Sequence, residues 1–321
     1  GNVTCTYPTT GGATTLYFGT ANENELLPTL NLNISDGAAL SGSMPLMAAN
    51  VAVTGAGTID DGFFQPYSDA YEVASSVNGD VTEYRGRIIP ANLIATVAYG
   101  DVCYSYTDLG AAISEAYQND GLLTLQQNVS YGGSASANNH TPSGWTLDLN
   151  GHTYTYTGNY YAFQVQNSGK TLTITDSSEN GGGKLVVSSP NATAIETSSS
   201  STSAAVTIGA GVTIEGTVLL TGTDPVLNIN GTIDTSGLKA TDSGQEYSLP
   251  AIQTNGSTTQ NSTINLYSGA VVKADSHAVY HPGTGTLTVY DGARVTGGSV
   301  GVEMRAGTLN VYEGAALTGG S

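Results

Sequence analysis

The stretch that decides the fold is TLTVYDGARVTGG, from Thr286 to Gly298, which is followed at an interval of 22 residues by TLNVYEGAALTGG, from Thr308 to Gly320. The two segments share their alternating apolar residues, a tyrosine and several glycines, and none of these residues does obvious chemistry. Internal similarity at a fixed interval is the signature of a repeat architecture, in which each unit stacks on its neighbour. The regularity therefore predicts stacked units.

The same alternating apolar pair recurs through most of the chain. Its first residue falls at Leu123, Leu147, Leu172, Val206, Leu227, Ile264, Leu287 and Leu309. The successive spacings are 24, 25, 34, 21, 37, 23 and 22 residues. The two longest intervals contain polar stretches rich in glycine and serine, which we interpret as loops inserted into otherwise regular units.

Each unit has the pattern of a short strand, a glycine turn and a second short strand. Apolar residues alternate with polar ones at period two, which favours strands over helices. Strands this short bury no face alone, but stacked in parallel about 4.8 Å apart they enclose one continuous core. The sequence therefore predicts an all-β parallel β-helix solenoid, in which Tyr267, Tyr290 and Tyr312 form a column.

One segment, TDLGAAISEAYQNDG, has helical periodicity and predicts a short helix near residues 108–119. Thr107 or Asp108 could cap its start and Gly121 its end. Its apolar face consists of Leu109, Ala112, Ile113 and Ala116. Because the open end of a solenoid exposes core residues and unpaired strand edges, we expect this helix to act as a lid before the first unit.

The N-terminal part repeats the theme, since LNISDGAALSG at residues 32–42 matches LNVYEGAALTG at residues 309–319. We therefore interpret residues 1–60 as the end of a first short β-helix module and residues 61–97 as a connector. Residues 98–321 form a second module, truncated at its C-terminal end because the pattern stops in mid-repeat. A signal peptide and an anchor are expected outside this sequence.

Composition restricts the partners. The chain has 8 Lys and Arg against 26 Asp and Glu, a formal net charge of -18, and 42 glycines. Phosphate binding needs clustered cations, so nucleic acid is excluded as a partner, and an anionic membrane surface would repel the chain. No apolar run of about 20 residues is present, so direct membrane insertion is not expected.

Several segments together resemble a known family: VAYGDVCYSYTDLGAAISEAYQNDGLLTLQQNVS, TLDLNGHTYT, KTLTITDSSENGGGKL and GTLNVYEGAALTGG. They are similar to the right-handed β-helix modules of large surface proteins of Gram-positive gut bacteria, within the pectate-lyase-like superfamily. The resemblance covers residues 98–321 well and residues 25–97 more loosely. It implies a right-handed solenoid and a role in adhesion at the bacterial cell surface.

Polysaccharide lyases and glycoside hydrolases also use this fold, so catalytic groups must be considered. A hydrolase needs two carboxyl groups at a defined separation, and a lyase needs a carboxylate cluster with a nearby Arg or Lys. Asp60 and Asp61 are adjacent, and adjacent residues of a strand point to opposite faces. We therefore predict no catalytic residue and no cofactor, with a lyase or hydrolase kept as the alternative function.

Metal binding is not predicted. His277 and His281 are four residues apart, but their surroundings indicate a strand, on which they would share a face at a separation of about 13 Å. The acidic residues near turns do not form a calcium-binding loop. The two cysteines, Cys5 and Cys103, leave open whether a disulfide or two separate thiols are present.

Tyrosine is the one abundant aromatic residue, with 19 Tyr against 4 Phe and 1 Trp. Exposed tyrosines suit contacts with glycans and proteins, because each combines an apolar ring with a polar tip. The densest cluster is YTYTGNYYAF, which makes Tyr154, Tyr156, Tyr160 and Tyr161 the candidate ligand-binding residues. The alternative is a tyrosine ladder that only stabilises the sheet.

These observations favour a non-catalytic interaction module of an extracellular, bacterial cell-surface adhesin. Its expected partner is a host glycan or glycoprotein, with secreted immunoglobulin among the candidates. A passive spacer that lifts another domain from the cell wall is the further alternative. An exposed groove with two carboxylates and a base would favour an enzyme, whereas an exposed patch of tyrosine and amide residues would favour the adhesin.

Overall fold

The structure is a computed structural model that describes residues 28–133, 135–136, 144–189, 191–256 and 261–320. These residues form an all-β protein dominated by long parallel sheets, as the sequence predicts, with one α-helix and one turn of 3₁₀-helix at Pro90–Asn92. The chain divides into two compact units, Gly1–Asn92 and Leu93–Ser321. The predicted limits of the first module and of the connector stay predictions.

The first unit contains eight described strands, numbered in chain order: β1 (Thr29–Asn33), β2 (Ala39–Leu40), β3 (Met44–Leu46), β4 (Ala49–Thr54), β5 (Thr58–Ile59), β6 (Phe64–Pro66), β7 (Tyr71–Asn78) and β8 (Val81–Ile88). Parallel pairs join β1 to β4, β2 to β5 and β3 to β6. Strand β8 runs antiparallel to both β4 and β7. A small apolar cluster that includes Leu46, Val51 and Phe64 forms the core of this unit.

The second unit is built on three sheets, of which sheet A is the longest, with ten strands. Its strands are β9 (Ala95–Tyr99), β10 (Val102–Tyr106), β11 (Leu122–Leu125), β14 (Gly144–Asp148), β17 (Thr171–Thr175), β20 (Ala205–Ile208), β23 (Val226–Ile229), β28 (Ser262–Leu266), β31 (Gly285–Val289) and β34 (Thr308–Val311). Strand β9 is antiparallel to β10 and β11. Every later neighbour in the sheet is parallel.

Sheets B and C are parallel throughout. The strands of sheet B are β12 (Val129–Tyr131), β15 (Thr153–Tyr156), β18 (Lys184–Val187), β21 (Thr213–Glu215), β24 (Thr232–Asp234), β29 (Val271–Ala274), β32 (Arg294–Gly297) and β35 (Ala316–Gly319). Those of sheet C are β13 (Ala135–Ser136), β16 (Tyr161–Val165), β19 (Thr193–Thr197), β22 (Val218–Leu220), β27 (Ile252–Thr254), β30 (His277–His281) and β33 (Val300–Met304). A separate hairpin, β25 (Lys239–Asp242) and β26 (Gln245–Ser248), lies between β24 and β27 in the chain.

From β11 onward the chain visits sheets A, B and C in turn, so each repeat up to β33 supplies one strand to each sheet, and the last described repeat supplies β34 and β35 to sheets A and B. The sequence predicted only two strands in each unit. The third was missed because sheet C strands such as β30 have two adjacent buried residues, Ala278 and Val279, which interrupt the period-two alternation. The buried side chains of all three sheets form one apolar core.

The predicted tyrosine column is confirmed. The ring centroids of Tyr267 and Tyr290 are 5.1 Å apart with an interplanar angle of 8°. Those of Tyr290 and Tyr312 are also 5.1 Å apart, at 19°. The column follows from the register of sheet A, in which Leu266 pairs with Val289 immediately before the first two tyrosines.

The predicted helix is present as α1 (Leu109–Gln118), and the side chain of Asp108 caps it by accepting a hydrogen bond from the Ala111 N–H at 2.6 Å. The four predicted apolar residues are the buried ones, and they join the core that also contains Val97 and Leu123. Helix α1 therefore covers the apolar core at the end where the stacked repeats begin. The residue with positive φ after the helix is Asp120, not Gly121.

Carboxylates hold the turns between strands, and Asp176, after β17, makes the largest set of contacts. Its Oδ1 accepts hydrogen bonds from the N–H groups of Gly151 at 2.8 Å and Ser178 at 3.1 Å, and its Oδ2 accepts one from Gly183 at 2.6 Å. Burial raises the pKa of this carboxyl, but the hydrogen bonds from Gly183, Ser178 and Gly151 outweigh burial, so the net pKa is lowered. The charged form of Asp176 therefore links its own repeat to the preceding repeat, which contains Gly151.

We expect Asp176→Asn to lower the free energy of unfolding at pH 7 by about 1.5–3 kcal/mol, because an amide replaces an acceptor of charge-assisted hydrogen bonds. The lowered pKa means that this stabilisation is present above the ordinary aspartate pKa of about 3.9 and is lost as the pH falls through the folded value. Thermal unfolding at pH 7 and at pH 3 measures both effects. The matched control is Glu179→Gln, an equal charge change at an exposed residue of the same turn; an equal loss in both variants would contradict the role of Asp176.

Candidate functional site

The tyrosine cluster divides into buried and exposed residues. Tyr154 and Tyr156 lie on β15 and are fully buried, each with 0% of its surface exposed. The prediction that these two residues present a binding surface is therefore wrong. Alternation on β15 turns both rings into the core and leaves Thr153 and Thr155 partly exposed, which agrees with the alternative of a structural role.

Tyr161 begins β16 in sheet C, and Tyr160 immediately precedes this strand. Tyr160 is 75% exposed, and Tyr161 is partly buried. The backbone N–H of Tyr160 points to the Tyr156 hydroxyl at 3.4 Å, so the buried ring anchors the exposed one. Ligand binding by Tyr160 and Tyr161 stays a prediction.

The outer face of sheet C presents one row of side chains, defined by the pairing register and called the C row. Its members are Gln164, Glu196, Leu219, Gln253, Tyr280 and Glu303. Gln164 Nε2 donates to Glu196 Oε1 at 3.2 Å. Burial raises the pKa of Glu196, and this hydrogen bond opposes the shift. Half-buried amide, carboxylate and aromatic groups therefore share this face.

The hairpin of β25 and β26 stands beside the C row. Its two-residue loop, Ser243 and Gly244, has φ values of 50° and 79°, as a type I′ turn requires. The backbone N–H of Thr241 donates to Asn191 Oδ1 at 3.2 Å, which ties the hairpin to the segment before β19. The inserted loop predicted here is thus an ordered hairpin; the alternation in LKATDSGQEYSL with a Ser-Gly turn was the signal that could have identified it.

A groove of about 390 Å³ lies between the hairpin and sheet C. This volume falls within the range of about 300–1,000 Å³ that is usual for small-molecule sites. Sheet C contributes Thr193, Leu219 and Gln253 to the lining, and the hairpin contributes Asp242 and Tyr247. Both elements are needed to form the groove, which the sequence alone did not indicate.

The groove combines an aromatic ring with amides and hydroxyls. Tyr247 is 49% exposed, so part of its ring is available to a ligand. Gln253 and Asn191 supply side-chain amides, and the Oδ1 of Asn191 is already engaged by Thr241. Asp242 is the one charged residue of the lining. The groove can therefore form hydrogen bonds to hydroxyl and amide groups and stack an apolar ring face.

A second cluster occupies the other end of the C row, around Tyr280. The guanidinium of Arg305 lies 5.3 Å from the centroid of the Tyr280 ring, and the His277 ring packs edge-on at 5.6 Å. Glu303 contacts both of these side chains, with Oε1 2.9 Å from Arg305 Nε and Oε2 2.9 Å from His277 Nε2. The hydrogen bond from Arg305 lowers the pKa of Glu303, and the bond from His277 acts in the same direction.

Paired carboxylates suited to glycoside hydrolysis do not occur on the C row. Glu196 and Glu303 are four strand steps apart, about 19 Å at 4.8 Å per step. Hydrolase pairs are separated by about 5–9.5 Å. Asp60 and Asp61 are both exposed and follow β5, outside any strand.

His277 and His281, for which no metal binding is predicted, do not share a face of β30. His277 is partly exposed beside Glu303, whereas His281 is fully buried with Nε2 2.7 Å from Ser262 Oγ. The adjacent buried residues of β30 shift the alternation, so the predicted common face is wrong. Burial lowers the pKa of His281.

Among the described residues, no group of three or more His, Cys, Asp and Glu side chains is arranged to hold a metal ion. Cys103 is exposed and has no disulfide partner in the described part of the chain, and Cys5 lies outside it. Within the same ranges no helix is long and apolar enough to cross a membrane. No family model, curated protein or solved structure matches the chain.

Proposed function

We propose that residues 93–321 form a right-handed parallel β-helix. Three features support this proposal: the cyclic order of the three sheets, the parallel pairing of successive units and the single shared core. Crossovers between parallel strands are right-handed in about 98% of cases, which gives the handedness. The family resemblance of the sequence leads to the same architecture.

We further propose that this scaffold is a non-catalytic binding module of an extracellular, bacterial cell-surface adhesin. Its partner is a host glycan or a glycoprotein, such as secreted immunoglobulin, recognised through its saccharide. The observation that carries this function is the groove between the hairpin and sheet C, which is lined by the Tyr247 ring and by the side-chain amide of Gln253. The surface location follows from the resemblance, and the acidic composition accords with it.

Saccharides present hydroxyl groups at their edges and apolar C–H groups on their ring faces. A site for them therefore needs hydrogen-bonding side chains beside an aromatic or aliphatic surface. Asn191, Thr193 and Gln253 meet the first need, and Tyr247 and Leu219 meet the second. Binding requires no bond cleavage, and the carboxylates of the C row lie too far apart for the paired acid and base of a hydrolase.

Tyr247→Ala is expected to raise the dissociation constant for a bound glycan at least tenfold, about 1.4 kcal/mol, because the stacking surface of the groove is removed. The chain is first screened on an array of host glycans and glycoproteins, and the strongest hit is then titrated calorimetrically. Tyr312→Ala is the matched control, since Tyr312 is 53% exposed but lies in the tyrosine column of sheet A.

Equal affinities of Tyr247→Ala and the unchanged chain would contradict binding in the groove. Absence of binding across the whole array would support the spacer function instead. Release of unsaturated or reducing sugars during incubation would establish a lyase or hydrolase, so the same samples are assayed for both products.

A further inference from the structure

The C row continues beyond the groove without interruption. Gln253, which lines the groove, pairs with Tyr280 on the next strand, and Tyr280 pairs with Glu303 on the one after. From Leu219 to Glu303 the row covers three strand steps, about 14 Å. The groove and the cluster around Tyr280 are therefore neighbours on one face of one sheet.

The cluster holds its aromatic ring in a fixed position. Arg305 lies over the Tyr280 ring, His277 packs edge-on against it, and Glu303 contacts both Arg305 and His277. Such a set restrains long side chains that would otherwise lose conformational entropy on binding a ligand. The Arg305 side chain is 62% exposed, so its guanidinium remains accessible to a ligand that lies along the row.

The charge of the groove selects against anionic saccharides. Asp242 is the one charged residue in its lining, and the chain as a whole carries a net charge of -18. A sialic or uronic acid carboxylate would be repelled there. The amides of Asn191 and Gln253 complement an N-acetyl group, and Leu219 offers an apolar contact to its methyl.

We infer that the groove and the Tyr280 cluster are two subsites of one elongated site, which takes a linear, uncharged oligosaccharide bearing N-acetyl groups. This inference rests on the proposed function and adds the class of ligand and its direction, across the strands of sheet C. One or two sugar units occupy the groove, and the chain continues over Tyr280 towards Arg305.

The test uses linear N-acetyllactosamine oligomers of one, two and three disaccharide units, titrated calorimetrically against the full chain. The affinity should rise at least tenfold from the shortest to the longest oligomer. Tyr280→Ala should abolish this rise, so that the longest oligomer binds no more tightly than the shortest, whereas Tyr280→Phe, which keeps the ring, should preserve the rise. Capping the longest oligomer with sialic acid should not strengthen binding.

The outcomes separate this inference from the proposed function. Equal affinities for all lengths, or an undiminished rise in Tyr280→Ala, would overturn the two-subsite inference, and the groove would still be established by the array and by Tyr247→Ala. Tighter binding of an acidic saccharide at the groove would overturn the assigned ligand class. Absence of any glycan binding would remove the proposed function itself. Circular dichroism confirms that each variant is folded.

Discussion

Replacing Tyr154 by alanine is expected to lower the free energy of unfolding by about 3–5 kcal/mol, the usual loss for a large buried aromatic residue. Tyr154 is completely buried on β15, where its neighbours in register are Val129 and Leu185. Its ring centroid lies 5.2 Å from that of Phe163 on sheet C. The substitution therefore opens a cavity between sheets B and C, and the adjacent backbone ladders restrict its collapse.

Replacing Tyr154 by phenylalanine, which removes only the hydroxyl, is expected to have the opposite effect on stability. Among the described residues this hydroxyl has no hydrogen-bond partner, and burial raises its pKa. A buried unpaired polar group costs about 1–3 kcal/mol, so Tyr154→Phe is expected to be neutral or to stabilise the chain. Tyr156→Phe is the matched comparison, and it should destabilise the chain because the Tyr156 hydroxyl accepts a hydrogen bond from Tyr160.

Urea unfolding followed by circular dichroism measures all three variants. For a domain of this size the alanine substitution should lower the melting temperature by on the order of 10 °C. A loss below about 1 kcal/mol for Tyr154→Ala would show that the ring does not pack in the core. In that case the ring would be available to solvent, and its role as a ligand-binding residue would have to be considered again.

The parts of the fold that were predicted correctly rest on local or strictly periodic patterns. The helix was found because four apolar residues at helical spacing, with a capping aspartate before them, precede the first stacked repeat. The tyrosine column was found because Tyr267, Tyr290 and Tyr312 each directly follow an apolar pair, and these pairs are 23 and 22 residues apart. In both cases neighbours in space can be identified from sequence distance alone.

The register between β14 and β17 was predicted incorrectly. The repeat alignment placed Leu147 beside Leu172, but Leu147 pairs with Ile174, and Leu172 pairs with Trp145. A shift of two residues keeps every apolar side chain on the same face, so alternation cannot distinguish the two registers. Packing of the large Trp145 ring against Phe163, at a centroid distance of 5.6 Å, is a tertiary contact that the pattern does not contain.

The candidate site was predicted least well, for two physical reasons. The alternating segment TYTYT identifies two faces but not which one is buried, and the tyrosines rather than the threonines lie inward. The groove needs residues from β19, β22 and β27 together with a hairpin inserted in only one unit. Residues such as Asn191 and Gln253 are distant in sequence, so only the folded chain brings them together.

Gly285→Ala is expected to have an effect of similar size through the backbone. Gly285 begins β31 with φ of 143°, a conformation that L side chains rarely adopt, and it pairs with Ser262 on β28. A Cβ at this position would lie 2.1 Å from the Ser262 carbonyl oxygen, a distance that requires the strands to separate. Backbone strain and overpacking each cost about 1–3 kcal/mol, so a combined loss of about 4 kcal/mol is expected.

Gly269→Ala measures the cost of backbone strain alone, without a steric contact. Gly269 has φ of 85°, but a Cβ there would meet no atom within 4 Å, so only the left-handed backbone cost of about 1–2 kcal/mol applies. Chemical unfolding of the two variants should therefore rank Gly285→Ala well below Gly269→Ala in stability. Equal losses would mean that β28 and β31 are not in close backbone contact at Ser262.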